Sequence, residues 1–337
     1  MTRLRESDIR PDALMAEQAR RYAADVAWLL ERRDRFVDVA CPACEAIGHS
    51  PAWRKYDLEY RRCADCGTVY MSPRPDPDLL GEYYRSSSNY EYWNTVVFPA
   101  SEDARRERIF RPRAERAAEL ARRHGAGTGT LVDVGAGYGT FCEEVRRLGA
   151  FERVVALEPE PHLAETCRAK GLEVIEAPVE QAELDAGVDV VTSFEVIEHL
   201  FSPSGFVERC AAVLRPGGLL MITCPNVHGF DVEVLGEASA TVDAEHLNYL
   251  HPASLGALLE RSGFSVVETQ TPGRLDAELV RKKVLSGELS LDGQPFLRRV
   301  LVDDWDRLGD AFQDFLAGHG LSSNMWLVAR RDGEGGT

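Results

Sequence analysis

Thr130-Leu131-Val132-Asp133-Val134-Gly135-Ala136-Gly137-Tyr138-Gly139-Thr140 is the stretch on which the reading of this chain turns. An apolar strand runs into three glycines at alternate positions, and Thr140 to Leu148 follows as a helix. Glycines allow a tight turn there and let a ligand approach the backbone at a helix N-terminus. A dinucleotide loop requires G-x-G-x-x-G, but the place of its third glycine is held by Thr140 and the pattern is G-x-G-x-G. Asp133 stands two residues ahead of the first glycine, where an acidic strand end attracts an ammonium rather than a pyrophosphate. Glu158 ends the next strand, about 20 residues beyond the loop, the offset from which a carboxylate reaches ribose hydroxyls.

Outward from the loop, strands and helices alternate. Arg153–Leu157, Leu172–Ile175, Val188–Ser193 and Leu219–Cys224 read as strands, and Phe264–Glu268 and Met325–Ala329 as the last two. His162–Lys170 and the segment ending at Arg215-Pro216-Gly217-Gly218 read as helices. Such alternation implies right-handed βαβ crossovers and a parallel sheet covered on both faces. The expected organisation is a helical segment over 1–40, a cysteine-rich module over 41–77, a helical lid or linker over 78–127, and a nucleotide-binding fold over 128–331 with a helical insertion at 276–320. Leu14, Ala19, Tyr22, Val26, Leu29 and Leu30 carry the first helix, and Pro73-Arg74-Pro75-Asp76-Pro77 reads as an extended linker. Tyr83-Tyr84 and Tyr90-Glu91-Tyr92-Trp93 mark an aromatic break, either a lid over a substrate or a packing seam. Disorder is expected in the tail from Asp332.

Four motifs in fixed order carry a resemblance across residues 128 to 270: Leu131 to Gly139, Val155-Ala156-Leu157-Glu158-Pro159, Asp189-Val190-Val191-Thr192-Ser193-Phe194-Glu195-Val196-Ile197-Glu198-His199, and Leu214-Arg215-Pro216-Gly217-Gly218. Together they are similar to class I S-adenosyl-L-methionine-dependent methyltransferases of the ubiquinone-pathway type. The resemblance implies an α/β, Rossmann-like, doubly wound sheet of seven strands, mostly parallel with the last antiparallel. It places Asp133, Gly135, Ala136, Gly137 and Gly139 at the methionine end of the cofactor, and Glu158 with Pro159 at the ribose. Val179 and Phe194 fall beside adenine, with Glu195 also among the cofactor residues.

Glu195, Glu198 and His199 lie at i, i+3 and i+4, so a helix beginning near Glu195 would project all three from one face. With His246 they make a candidate site for magnesium or another divalent ion. In the alternative reading, the acids favour a helix dipole and His199 is a hydrogen-bonded core residue. E-x-x-E-H with a later His is similar to the magnesium site of ubiquinone-pathway and small-RNA 2′-O-methyltransferases, where the metal grips acceptor hydroxyls. Glu245-His246-Leu247-Asn248-Tyr249 resembles the E-H-L-x-Y segment of nucleotide-sugar C-methyltransferases, where that His is a general base. Asp243 stands where those enzymes carry an aromatic residue. His246, Glu245 and His199 are therefore the candidate catalytic residues.

Cys41-Pro42-Ala43-Cys44 and Cys63-Ala64-Asp65-Cys66 form two C-x2-C pairs separated by 18 residues, the spacing of a zinc ribbon with a closed, structural site. Nucleotide-sugar methyltransferases resemble this arrangement, with a zinc module ahead of the cofactor domain. The remaining four of the 8 cysteines sit among apolar neighbours and read as small core residues.

A net charge of −16 over 337 residues argues against nucleic acid as a partner. No apolar run reaches the ~18 residues of a membrane helix, and Met1 to Asp8 offers no apolar leader, so a cytoplasmic protein is expected. Acids are interspersed among the arginines from Arg105 to Arg113, although Arg105, Arg106 or Arg111 are candidates for meeting phosphates. The expected function is methyl transfer to a small polar acceptor, a sugar or nucleotide-sugar in glycan or natural-product assembly. A metal-assisted O-methyltransferase on another hydroxylated metabolite is the alternative, and a non-catalytic zinc-ribbon interaction protein is the reading from another class. Oligomeric state stays open.

Overall fold

The computed structural model describes residues 4–184 and 186–333, so the tail beyond residue 333 lies outside the described residues. Helix α1, Asp12–Leu30, buries Val26 and Leu29 along the expected stripe. The cysteine-rich segment folds as an antiparallel sheet of β1 (His49–Lys55), β2 (Leu58–Cys63) and β3 (Val69–Met71).

Residues 73–77 are not a linker. Arg74–Pro75 pairs with Phe36–Val37, and the Asp76 carboxylate caps helix α2, Pro77–Ser86, by accepting from Leu79 N at 2.7 Å. Proline at the first helical position forfeits no hydrogen bond there, because that amide has no partner within the helix. Helix α2 runs straight through Tyr83-Tyr84, and the break falls later, at Ser87, whose hydroxyl caps the short turn that follows. The helical path ends with α3, Arg111–His124, closed by Gly125 in the left-handed region.

The nucleotide-type fold follows in the order β4 (Thr130–Val134), α4 (Thr140–Leu148), β5 (Arg153–Leu157), α5 (Pro161–Ala169), β6 (Glu173–Ile175), β7 (Val188–Phe194), α6 (Pro203–Val213), β8 (Leu214–Pro225), β9 (Asn248–Tyr249), α7 (Pro252–Arg261), β10 (Phe264–Gln270), α8 (Asp276–Leu285), α9 (Trp305–Gly318) and β11 (Asn324–Arg331). Seven of these strands form one sheet in the order β10-β11-β8-β7-β4-β5-β6. Strand β11 is antiparallel to both neighbours, and the other pairings are parallel. Val132, Val191, Leu220 and Leu327 pack on one face and Leu131, Val190, Met221 and Val328 on the other, as the two-residue period of a strand requires. The strand order reverses between β4 and β7, so the crevice beyond their carboxyl ends is where a ligand is to be sought.

Strand β9 does not join this sheet. It pairs with β3, Asn248 opposite Tyr70 and Tyr249 opposite Val69, and becomes the fourth strand of the cysteine module's sheet. The segment Glu245 to Tyr249 is thus shared between that module and the crevice.

Candidate active site

A cleft of about 2260 Å³ opens at the switch point. At its floor, Gly135, Gly137 and Gly139 all have positive φ, at 76°, 54° and 73°. A Cβ on Gly135 would lie 2.5 Å from Val196 Cγ2, and one on Gly139 would lie 2.8 Å from Cys167 Sγ, whereas one on Gly137 would meet nothing within 4 Å. The middle of the loop therefore faces open space, and its two ends are pressed against the protein. The Glu158 carboxylate accepts from Gly137 N at 2.7 Å and from Glu160 N at 3.0 Å. Burial pushes its carboxyl up to about 7 against those two amides. Asp133 behaves alike: Thr192 Oγ1 donates to it at 2.7 Å, yet burial pushes it up to about 7. Two buried carboxylates with no ion pair among the described residues are the chemistry that an ammonium and a ribose diol would satisfy.

Ala136, Pro159 and Val179 also line the cleft. Val179 and Phe194 both line the cleft, within different apolar clusters of the fold. Val179 packs with Ile197 and Phe206 on one face of the sheet. Phe194 points to the other, edge-on to Phe141 at 4.9 Å and tilted against Trp326 at 5.4 Å.

Facing this floor is a group of three: Glu198, His199 and His246 offer ligand atoms all within 4.8 Å of one another. The expected helix from Glu195 is absent. Glu195 takes a left-handed φ of 57° at the end of β7, and Ile197–His199 form a single 3-10 turn. Its carboxylate swings away from the group, accepting from Thr223 Oγ1 at 2.6 Å, Asn324 Nδ2 at 3.0 Å and Arg113 Nη2 at 3.2 Å.

Glu198 is buried, and its Oε2 finds no hydrogen-bond partner among the described residues. Burial, then the charge of Glu195, drives its carboxyl well above the ordinary range. His199 Nδ1 lies 3.1 Å from the Glu245 carbonyl, and His246 Nδ1 lies 2.8 Å from the Thr241 carbonyl. A carbonyl only accepts, so in the neutral ring each Nδ1 carries the proton and each Nε2 the lone pair. Burial, then His246, holds His199 well below the usual imidazole range. Two Nε2 lone pairs backed by carbonyl-bound Nδ1–H groups, beside an unsatisfied carboxylate, make a donor set suited to a divalent ion.

Glu245 stands outside the group. Its Oε1 accepts from Tyr83 at 2.9 Å and from Asn89 Nδ2 at 3.2 Å. Burial, then Asp243, pushes its carboxyl up to about 8. It moors the aromatic segment from a position on the cleft lining. Asp25 on α1 completes that mooring by accepting from Ser87, Ser88 and Asn89. Tyr84 places its hydroxyl 3.2 Å from His199 Nδ1. No sequence pattern marks Asp25, Asn89, Thr241 or Arg113, since each acts through contacts distant along the chain.

Of the arginines expected to meet phosphates, Arg106 is engaged by Glu102, Glu143 and Glu144, and Arg111 by Glu144. Arg105 instead lies over Phe98 and Trp93, bonded to Ser101 Oγ and the Ile9 carbonyl, on the wall of the cleft.

The four expected zinc ligands also converge, with Sγ atoms within 4.8 Å of one another. Cys41 and Cys66 are 3.5 Å apart, and Cys44 and Cys63 are 3.4 Å apart. The edge of a tetrahedron with zinc–sulfur bonds of about 2.3 Å is about 3.8 Å, so the cage fits that ion. Gly67, with φ 75°, turns the second knuckle.

Residues 103–269 match the family model described as a methyltransferase domain. A protein of Mycolicibacterium smegmatis named "Probable S-adenosylmethionine-dependent methyltransferase" is 41% identical over 85 residues, covering 25% of this chain and 32% of that one. The ubiquinone biosynthesis O-methyltransferase of Xanthomonas euvesicatoria is 30% identical over 156 residues, covering 40% of this chain and 62% of that one. The chain thus spans less than two thirds of the length of these relatives. A solved S-adenosylmethionine-dependent methyltransferase of Clostridium acetobutylicum superposes with a TM-score of 0.48 at 9% identity, over 72% of this chain and 99% of that one.

Proposed function

We propose that this chain, whose residues 103–269 form a methyltransferase domain, transfers a methyl group from S-adenosyl-L-methionine to a hydroxyl-bearing small acceptor. The observation that carries this reading is the cleft itself: the loop with Asp133 and Glu158 stands on one side and Glu198, His199 and His246 on the other. When bound, S-adenosyl-L-methionine supplies a methyl activated on sulfur. Asp133 and the loop would hold its methionine end, and Glu158 its ribose. The remaining work is to orient the acceptor and take its proton. With no metal bound, His246 Nε2 is a base for that proton. Alternatively, a divalent ion such as magnesium on Glu198, His199 and His246 would occupy that lone pair and instead lower the acceptor hydroxyl's pKa.

A sugar or nucleotide-sugar is the acceptor we favour. The cysteine module ahead of the cofactor domain supports it, as does Arg105, which no carboxylate among the described residues engages and which is suited to a phosphate. In this reading Cys41, Cys44, Cys63 and Cys66 hold a structural zinc. The relatives named for ubiquinone biosynthesis favour the second reading, a metal-assisted O-methyltransferase on another hydroxylated metabolite. A non-catalytic scaffold would have no use for the paired buried acids at the loop. No described helix is long and apolar enough to cross a membrane.

Calorimetry with S-adenosylhomocysteine tests the donor half. Protonated Asp133 and Glu158 favour the folded free protein at low pH, and that contribution is lost as pH rises through about 7. The ligand's ammonium and ribose favour the ionised forms. Binding is therefore expected to be tighter at pH 8 than at pH 6, with protons released near pH 6; no binding at micromolar concentration would sink the reading. For the acceptor half, Glu198→Gln is expected to abolish any stimulation by magnesium and to lower metal affinity about 10- to 100-fold. Turnover indifferent to strong chelation would leave His246 acting alone.

A further inference from the structure

Arg74 has the largest of the fully buried side chains, at 0% exposure, and no carboxylate among the described residues meets it. Its Nε donates to the Met71 carbonyl at 3.0 Å, and its Nη1 donates to the Phe201 carbonyl and to Asn248 Oδ1, each at 3.1 Å. Its Nη2 has no partner. A guanidinium stays charged, and an uncompensated buried cation is unfavourable. Burial lowers its pKa to about 10, and Tyr70 and Cys41 act against that shift. Tyr70 links the two regions: it lies opposite Asn248 in the sheet and belongs to one buried cluster with Cys41 and Cys63. The Tyr70 hydroxyl, also buried and without a partner, feels Cys41 and Cys63 on one side and Arg61 and Arg74 on the other. Four thiolates on a zinc dication carry a net charge of about −2. Burying that charge and burying Arg74 are each unfavourable alone, and opposite charges in one buried region relieve each other.

The same residue leads to the acceptor turn. Asn248, which accepts from Arg74, donates through Nδ2 to the carbonyls of Ile197 at 3.1 Å, Glu198 at 3.3 Å and Leu200 at 2.7 Å. Leu247 N adds a bond to the Glu198 carbonyl at 2.8 Å. An unbroken set of hydrogen bonds thus runs from Arg74 to the turn that carries Glu198 and His199.

We propose that Arg74 is the internal counter-cation of the metal-loaded cysteine site and a positioning residue that couples metal loading there to the geometry of the Glu198–His199 turn. The proposal rests on the zinc reading above. Its two roles separate by substitution. Lysine keeps the charge but loses the fork, methionine loses both, and Asn248→Ala breaks the coupling while leaving the charge in place.

The test uses the full chain, with zinc affinity measured by competition with a chromogenic chelator and amide hydrogen exchange followed over residues 197–200. Arg74→Met is expected to weaken zinc binding about tenfold or more and to speed exchange at the turn. Arg74→Lys and Asn248→Ala are expected to bind zinc as the unaltered chain does but to exchange faster at the turn. Zinc affinity and exchange both unchanged in Arg74→Met would overturn the proposal. If Arg74→Met does not fold, unaltered exchange in both Arg74→Lys and Asn248→Ala overturns it. An unaltered chain that takes up no zinc removes the reading beneath it, and the proposal with it.

Discussion

Replacing His246 with alanine is expected to lower kcat by about 10²- to 10⁴-fold, the range for losing a positioned general base, while affinity for S-adenosylhomocysteine stays within about twofold, a change worth under 0.5 kcal/mol. The expectation follows from how the ring is held. Nδ1 is committed to the Thr241 carbonyl at 2.8 Å, so Nε2 carries the lone pair of the neutral ring, and the ring sits 4.6 Å from that of His199. None of the hydrogen bonds that shape the glycine loop or hold Glu158 involves it. Steady-state kinetics with calorimetry on the same preparation separates the two effects. Loss of cofactor binding together with turnover would make His246 a structural residue and shift the base to His199.

Gly135→Ala is expected to remove measurable cofactor binding and to destabilise the fold by about 2 kcal/mol or more. The left-handed conformation alone disfavours alanine by about 1–2 kcal/mol. To that is added a Cβ placed 2.5 Å from Val196 Cγ2. Val196 follows Glu195, already held at positive φ, and precedes the turn of Ile197–His199. A push on it displaces both halves of the site. Gly137→Ala is the control: it has a similar φ, but its Cβ meets nothing. It is expected to show the conformational penalty without the collision. Thermal denaturation of the two variants, and of Gly135→Ala with Val196→Ala, checks the account. If trimming Val196 restores nothing, the collision is not the cause.

Much of the cofactor half was legible because its signals are local. Thr140–Leu148 and Arg153–Leu157 occur where the periodicity put them, since a strand, a glycine turn and a helix are each decided within a few residues. The acceptor half was legible only as a set of residue types. Spacing in Glu195-x-x-Glu198-His199 suggests one helical face. The hydrogen bonds that decide the matter, from Leu247 N to the Glu198 carbonyl and from the Asn248 side chain to the turn, come from about 50 residues away. The same holds for Glu245, whose partners Tyr83 and Asn89 are remote in sequence. Arg74 read as part of a proline-rich connector, because nothing nearby reveals that a cation is being buried.

The pairing of β9 with β3 bears on how such proteins diverge. The cysteine module contributes three strands and the crevice supplies the fourth. A chain begun at residue 78 would leave Asn248–Tyr249 as an unpaired edge, open to association with other chains, and its histidine would lose its register. The module and the crevice are therefore joined through one sheet. An ancestor exchanging the module for another would inherit, in the same event, a different placement of the residues that choose the acceptor.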